Sequence, residues 1–568
     1  MNTLDELSKE RKDLIKQGNI PEWYITPGWQ MFKTQYLSDT DEAVRGQFKR
    51  IAKTLAKHLK GTPVADIAAG KFFDLLWDGI WSPATPVLAN TGTKKGFPVS
   101  CSGTIIEDSV DGFYRNLHEV AMLTKYGFGT ASDFSNIRPL GSDVSTGGKA
   151  NGVLPVLAAH IQVSKDIAQG STRRGAFAGY LDIEHEDFWD VIKYVQSDAD
   201  KTNVGWIVKD SFVEKLKSDD EEAQKRWAEV LFVRLNPGRG YIFFPDKANR
   251  KRPKCYVDRN LLINNSQLCT EIMLHNSKDE TYTCVLSSLN VVHWDKIKDS
   301  DAAYWITLAL DCIVSEFLET SKGTPGFERA RLGTERGRPV GLGICGLHSL
   351  FLDRMIPFGS FEAHMLNLDI AEYMSRESLR ASMDLAKWLG EPEYCKGYGV
   401  RNTHRCAIAP TKSTALLMGG VSEGVSPQPA FVFTQPTAAG KMHRVDPSLI
   451  KMMKYKGVYN QETIDSIVDK QGSVQHCTWL TEYEKEVFKT AFEINQKDIL
   501  RLASTRAKYI DQGQSLNLYF HGDEDEETIS EIHRIATEDE NILSLYYVST
   551  LTGIQASKAN QAECTACQ

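Results

Sequence analysis

What limits this chain most is an alternation. After a first hundred residues that read as helices, short apolar stretches take turns with amphipathic segments along the rest of its 568 residues. Strands alternating with helices specify an α/β architecture, with functional groups gathered at strand ends. The strand-like pieces are YLDIEH from Tyr180, YIFFPD from Tyr241, TYTCVLSSLNVV from Thr281 and RCAIAP from Arg405. Helical spacing recurs over Ala302–Leu318, Ala363–Trp388 and Glu482–Leu502. Near the N-terminus, Val44, Phe48, Ile51, Leu55 and Leu59 share one face of a helix that starts at Asp41, and Asp66 to Trp77 continues helically. SPATPVLANTG, from Ser82, is punctuated by proline and glycine and reads as an extended segment or loop.

Composition removes several classes of function. With 42% hydrophobic and 25% charged residues the chain is an ordinary globular protein. A net charge of −8 and the lack of a basic stripe argue against polymeric DNA or RNA as ligand. No apolar run is long enough to span a bilayer, and MNTLDELSKERKDLIKQ is a charged helix rather than a signal peptide, so a cytoplasmic location without membrane contact is expected. Of the 11 cysteines only Cys564 and Cys567 are close neighbours. A cytosolic protein keeps such thiols reduced, and one CxxC does not supply the four ligands of a structural zinc, so no metal set is read here.

Several residues can carry chemistry. In SQLCTEI, Cys269 and Glu271 are two apart, which on a strand or extended loop points both side chains to the same side. A thiol beside a carboxylate can be a nucleophile with its base, or a hydrogen-abstracting sulfur with its base; a buried cysteine near a surface glutamate is the plain alternative. Cys284 sits in an apolar strand and Cys101 follows a proline-containing turn, and core packing explains either. The Cys564/Cys567 pair on a small, polar tail cannot support a core; it suits thiol–disulfide exchange, or half of a metal site. APTKST, Ala409 to Thr414, reads as a strand-to-helix turn whose hydroxyls and backbone N–H groups suit a phosphate or simply cap the helix. AQGSTRRGAF, from Ala168, is a glycine-bounded loop with Arg173 and Arg174 that binds a nucleotide or is a solvated turn. Tyr546-Tyr547 is uninformative by itself.

Taken in order, SPATPVLANTGT, VSCSG, NIRPLGS, GSTRRGAFAGYLDIEH, SQLCTEI, TCVLSSLN, RPVGLGICGLHSLF, RNTHRCAIAPTKSTA, IDQGQSLNL, LYYVST and the terminal CTAC resemble the large, catalytic subunit of class I ribonucleotide reductases. The resemblance runs from about Trp81 to the terminus. It implies a ten-stranded α/β barrel over residues 81–552, behind an N-terminal helical segment 1–80 and ahead of a flexible redox-active tail 553–568. Nothing like the basic-Asp-Gly opening of the family's ATP-binding regulatory domain stands in that helical segment, so a complete copy of that domain is not expected.

Position by position, the resemblance makes Cys269 the thiyl-radical cysteine that abstracts the ribose 3′-hydrogen and Glu271 the base for the 3′-hydroxyl. Cys101 and Cys284 become the dithiol that reduces the ribose and ends as a disulfide, Cys564 and Cys567 the shuttle that thioredoxin or glutaredoxin regenerates, and Tyr546 and Tyr547 the radical relay. Thr85, Ser100 and Gly129 line the substrate, and Pro410, Thr411, Lys412, Ser413 and Thr414 form its diphosphate loop. Asp108, Ser109 and Arg138 match the allosteric site for a deoxynucleotide or ATP effector, which implies a homodimer; Arg173 and Arg174 lie in the loop linking effector to substrate base. The tyrosine pair implies a separate metal-containing small subunit as radical source, with no cofactor in this chain beyond Mg on bound nucleotides. One position departs: where the family has asparagine, this chain has Gln267, whose extra methylene overreaches unless the backbone at Asn265 and Ser266 retreats or the side chain folds back. An adenosylcobalamin-dependent reductase and an inactive nucleotide-sensing homologue are the alternatives; the first lacks a reason for the tyrosines, the second for the complete set of thiols.

Overall fold

A computed structural model describes residues 4–99, 101–167, 176–197, 203–236, 238–437 and 440–551. Residues 4–77 are largely helical. Val44, Phe48, Ile51, Leu55 and Leu59 are fully buried, and the helix Val44–Ala56 packs on Ala65–Trp77 and on Ala302–Thr320. Each such side chain contributes about 1.5–3 kcal/mol by leaving water. Ala302–Thr320 is buried on nearly every face, so its side chains join helical and barrel parts into one core.

The strands are β1 (Trp81–Pro83), β2 (Cys101–Ile105), β3 (Gly129–Asp133), β4 (Phe177–Asp182), β5 (Asn203–Ile207), β6 (Tyr241–Phe243), β7 (Tyr282–Thr283), β8 (Leu286–Asn290), β9 (Gly341–Cys345), β10 (Val432–Thr437), β11 (Gly440–Val445), β12 (Leu518–His521), β13 (Ser544–Leu545) and β14 (Val548–Leu551). A seven-stranded sheet runs β13-β6-β5-β4-β3-β2-β7. Its five middle strands are parallel, joined by helices such as Val110–Lys125 and Val153–Asp166, and its two edge strands are antiparallel. A second sheet runs β1-β8-β9. Beyond β9, single bridges carry the pairing onward, Leu342 with Cys406 and Ile408 with Gln514, while Tyr546 N–H donates to the Leu516 carbonyl at 2.8 Å. The fold is thus mixed α/β behind a helical N-terminal region.

Local departures from the sequence reading have identifiable causes. SPATPVLANTG is not extended throughout: after β1, Thr85–Asn90 is a helix, because Pro86 lies in the first turn, where no N–H is needed. RCAIAP forms no regular strand, because the Asp511 carboxylate takes the Arg405 and Cys406 N–H groups (3.0 and 2.8 Å) that a ladder would use. Glu482–Leu502 is two helices, Glu482–Val487 and Gln496–Arg506; Glu493 accepts from the Thr490 N–H at 2.8 Å, and Asn495 caps the second helix.

Candidate active site

Between the short helix Lys254–Val257 and β7 the chain has no regular structure, yet Asn265, Ser266, Gln267, Thr270 and Glu271 are buried. Other parts of the chain therefore satisfy its backbone. The Gln267 carbonyl accepts from the Tyr180 hydroxyl of β4 at 2.6 Å and from the Thr270 N–H at 3.2 Å. Ser515 Oγ donates to the Cys269 carbonyl at 2.6 Å, Ser544 Oγ to that of Thr270 at 2.8 Å, and the Gly513 N–H to that of Glu271 at 2.8 Å. Thr270 has φ of 67°, so Cys269 and Glu271 flank a turn and not the extended stretch read from their spacing. Both still lie close enough to Tyr180 to push its phenol up, although burial does most of that.

The Glu271 carboxylate is the best-defined group of the loop. Its Oε2 accepts from Gln267 Nε2 at 2.6 Å and lies 3.1 Å from Ser515 Oγ, while its Oε1 is buried with no hydrogen-bond partner. Burial pushes the carboxyl up to about 7, against the lowering effect of Gln267, the backbone and Ser515. A carboxyl poised there exchanges protons readily at neutral pH. Gln267 folds within its own loop, its Oε1 lying 3.2 Å from Ser266 Oγ, so its longer side chain is used up between Ser266 and Glu271.

Cys101 opens β2 and Cys284 follows β7. The antiparallel register pairs Ser102 with Thr283, and the Cys284 N–H donates to the Cys101 carbonyl at 2.9 Å. The two sulfurs are joined in a disulfide with Cα atoms 5.3 Å apart. On the other side of β2, Gly129 pairs with Cys101, so no side chain from that residue stands next to the bridge.

Cys269 packs in one apolar cluster with Tyr180, Tyr241 and Tyr546. The rings of Tyr546 and Tyr547 are 4.1 Å apart, Tyr241 of β6 stacks on Tyr546 at 5.2 Å, and the Tyr241 and Tyr547 hydroxyls are 2.9 Å apart. Tyr546 is buried and Tyr547 half-buried, so the aromatic column runs from the cysteine toward the surface.

Thr85 is buried, its hydroxyl 3.3 Å from that of Tyr36. The turn Pro410–Thr414 begins the helix Lys412–Leu417, and Thr411 Oγ1 accepts from the Gly424 N–H at 2.8 Å. Arg138 Nε donates to Asp108 at 2.6 Å, beside Ser109, which caps the helix Val110–Lys125. Those three residues are therefore brought together. Ser100, Arg173, Arg174, Cys564 and Cys567 lie outside the described residues. Among the described residues one cluster has ligand-like spacing, His58 with Glu316 and Glu319, but the Lys57 ammonium already sits 2.8 Å from Glu316. Sequence reasoning gave no role to Ser515, Tyr180 or Tyr241; the first stands inside IDQGQSLNL, and only the folded chain sets it against Glu271.

A buried thiol and carboxylate, with a disulfide-forming pair packed against the adjoining Ile272, are the equipment of a thiol-dependent oxidoreductase. Family models agree: the ribonucleotide reductase all-alpha domain matches residues 26–96, and its barrel domain matches 99–224, 219–394 and 388–548. The putative ribonucleoside-diphosphate reductase large subunit of Frog virus 3 (isolate Goorha) is 32% identical over 533 residues, 88% of this chain and 92% of that protein. The ribonucleoside-diphosphate reductase large subunit of Invertebrate iridescent virus 3 is 26% identical over 620 residues, 95% and 96% of the two chains. The solved alpha subunit of Actinobacillus ureae class Id ribonucleotide reductase matches with a TM-score of 0.86 and 34% identity, covering 94% of this chain and 99% of that one. The chain belongs to the ribonucleotide reductase large-subunit family.

Proposed function

We propose that the loop around Cys269 reduces ribonucleoside diphosphates to 2′-deoxyribonucleoside diphosphates. The observation that carries this reading is the Glu271 carboxylate, held at one oxygen by Gln267 and Ser515 and left with an open, buried acceptor at the other. A Cys269 thiyl takes the 3′-hydrogen and leaves a radical at C3′, while Glu271 takes the 3′-hydroxyl proton. The C3′ radical weakens the C2′–O bond; Glu271 returns the proton to the 3′-oxygen, and the 2′-hydroxyl departs as water with one hydrogen from the Cys101/Cys284 dithiol, the other going to C2′. That pair gives two electrons and becomes the disulfide, and Cys269 returns the hydrogen to C3′. Tyr547 and Tyr546 relay the oxidising equivalent from a separate metal-containing small subunit, and the close approach of their rings supports this route. Thioredoxin or glutaredoxin acts through Cys564 and Cys567. Thr85, Ser100 and Gly129 face the substrate, and the hydroxyls and N–H groups of Pro410–Thr414 hold its Mg-bound diphosphate.

Asp108, Ser109 and Arg138 bind the deoxynucleotide or ATP effector, and Arg173 and Arg174 pass its identity to the substrate base. The exposed Val110 and Tyr114 on the adjoining helix support a homodimer face there. The test is deoxynucleotide formation from all four substrates with candidate small subunits and varied effectors. Product that depends on a small subunit and is lost in Cys269→Ser supports the reading. Turnover by this chain with adenosylcobalamin and no partner overturns it.

A further inference from the structure

Seven cysteines of the described residues stand outside the Cys101–Cys284 bridge, all of them buried, and apart from Cys269 none has a place in the chemistry above. Cys406 lies 3.4 Å from the Ser378 hydroxyl and Cys477 3.8 Å from His476. Cys255 and Cys395 differ, since the helix Lys254–Val257 packs on the turn Glu393–Cys395 and each thiol is the strongest influence on the other. They come from distant parts of the chain: Cys255 from the helix Lys254–Val257, Cys395 from the end of the 3-10 turn Glu393–Cys395.

The two backbones are already tied in register. Arg259 donates to the Cys255 carbonyl at 3.4 Å and to the carbonyls of Glu393 and Lys396, on either side of Cys395, at 3.3 and 3.5 Å. Tyr398, whose ring lies 5.3 Å under the Arg259 guanidinium, is pinned through its hydroxyl to Asp258 and through its N–H to the Cys395 carbonyl at 3.0 Å. Arg259 and Tyr398 are half-buried, while both thiols are buried. The pair is also chemically unequal. The neighbouring Cys395, with help from Arg259, holds the Cys255 thiol below its usual range, while that of Cys395 is pushed up by Cys255 and by burial. A thiol beside a guanidinium, with a second thiol in reach, is the arrangement of a reactive cysteine and its resolving partner.

We propose that Cys255 and Cys395 are a second oxidisable dithiol, separate from Cys101–Cys284, which a hydroperoxide converts to a disulfide. The Cys255 thiolate attacks one peroxide oxygen; an S–O bond forms, the O–O bond breaks and hydroxide leaves. The Cys395 sulfur then displaces the sulfenic oxygen, S–S forming as S–O breaks, and the Cys395 proton leaves with that oxygen as water. In sum two thiols and one hydrogen peroxide give one disulfide and two waters, and a small dithiol reverses the oxidation. The bond staples the segment entering the Gln267–Glu271 loop to the segment that runs on to Pro410–Thr414.

The test uses the full chain, reduced, dosed with hydrogen peroxide under native conditions, quenched by alkylation and mapped by mass spectrometry of its peptides. The expected result is a linked Cys255–Cys395 peptide that a small dithiol removes. Arg259→Gln slows its formation about tenfold, because losing a neighbouring cation raises a thiol by about one unit. Cys395→Ser stops the reaction at a Cys255 sulfenic acid that dimedone traps. Recovery of both residues as alkylated thiols, at a dose that fully oxidises Cys101–Cys284, overturns the proposal. So does a Cys395→Ser protein with a wild-type melting curve and no trapped adduct at Cys255. The wild-type map decides the matter even where a variant folds poorly.

Discussion

Replacing Gln267 by alanine removes the 2.6 Å hydrogen bond to Glu271 Oε2 and leaves Ser515 as the only side chain on that carboxylate. A hydrogen bond to a charged group is worth about 1.5–3 kcal/mol. Its loss disfavours the ionised form and raises the carboxyl by about one to two units. Glu271 starts at about 7, and only its ionised form takes a proton, so activity falls as pH drops through that value. The variant moves this acid limb upward. Near neutrality kcat/KM then falls by about five- to fiftyfold from titration alone. Loss of an oriented polar group at a reacting centre costs about 10²-fold in total, so the remainder reflects misorientation and persists at every pH. The measurement is the pH profile of deoxynucleotide formation with the small subunit and reductant in excess, with effector binding as the check on folding. Two parts are expected: a loss that recovers on the alkaline side and one of about two- to twentyfold that does not. An unmoved acid limb with unchanged kcat would refute the reasoning, and Glu271 would then owe its orientation to Ser515 and the backbone.

Ser515→Ala, which takes away the other hydroxyl at Glu271, shifts the same limb upward, but less than Gln267→Ala because its 3.1 Å contact is longer; an equal or larger shift reverses the ranking of the two groups. Cys269→Ser abolishes product while effector binding persists, since an O–H bond is too strong for the tyrosine relay to activate; appreciable turnover removes Cys269 from the radical role. The double change Cys564→Ser, Cys567→Ser blocks thioredoxin-driven turnover but leaves about one product per pre-reduced site, as a single dithiol supplies one pair of electrons. A small dithiol partly restores that variant, and an undiminished thioredoxin-driven rate assigns the shuttle elsewhere. Tyr547→Phe keeps the packed ring and removes the hydroxyl 2.9 Å from Tyr241; it stops the radical relay, and a wild-type rate in the reduction assay rules the pair out as the route.

The α/β class was legible because Tyr180, Tyr241 and Leu286–Asn290 stand in apolar, strand-like runs. β2 and β3 were not, since CSGTI and GTASD are small and polar despite being buried. They are buried as a hydrogen-bonded network in which the Thr104 and Ser132 hydroxyls meet at 2.7 Å and Ser132 donates to Asn116 at 3.2 Å, a pattern that hydropathy does not reveal. Cys269 and Glu271 were legible as chemistry, but their geometry was not: a threonine at positive φ makes the turn, which no spacing rule foresees. The bond between Cys101 and Cys284 spans 183 residues, so only resemblance pairs them in advance. Ser515 and Tyr241 are distant in sequence from Glu271 and Tyr547, and a sidedness argument along one segment cannot reach them.

The loop that holds Cys269 is shaped by hydrogen bonds with Gln512, which accepts from the Met273 N–H, and from Gly513, Ser515 and Ser544, all in the last sixth of the chain. On the ribosome, which delivers residues from the N-terminus onward, the helical region and the parallel strands have partners to pack against well before that segment emerges. The loop around Cys269 does not. Its contacts to that segment span 239 to 274 residues, and closing them is deferred until synthesis is nearly complete. A nascent chain short of that segment lacks the hydrogen bonds that shape the loop, along with core residues such as Leu518, Phe520 and Leu545. On the proposed reading, the radical site is therefore among the last parts of the molecule to form.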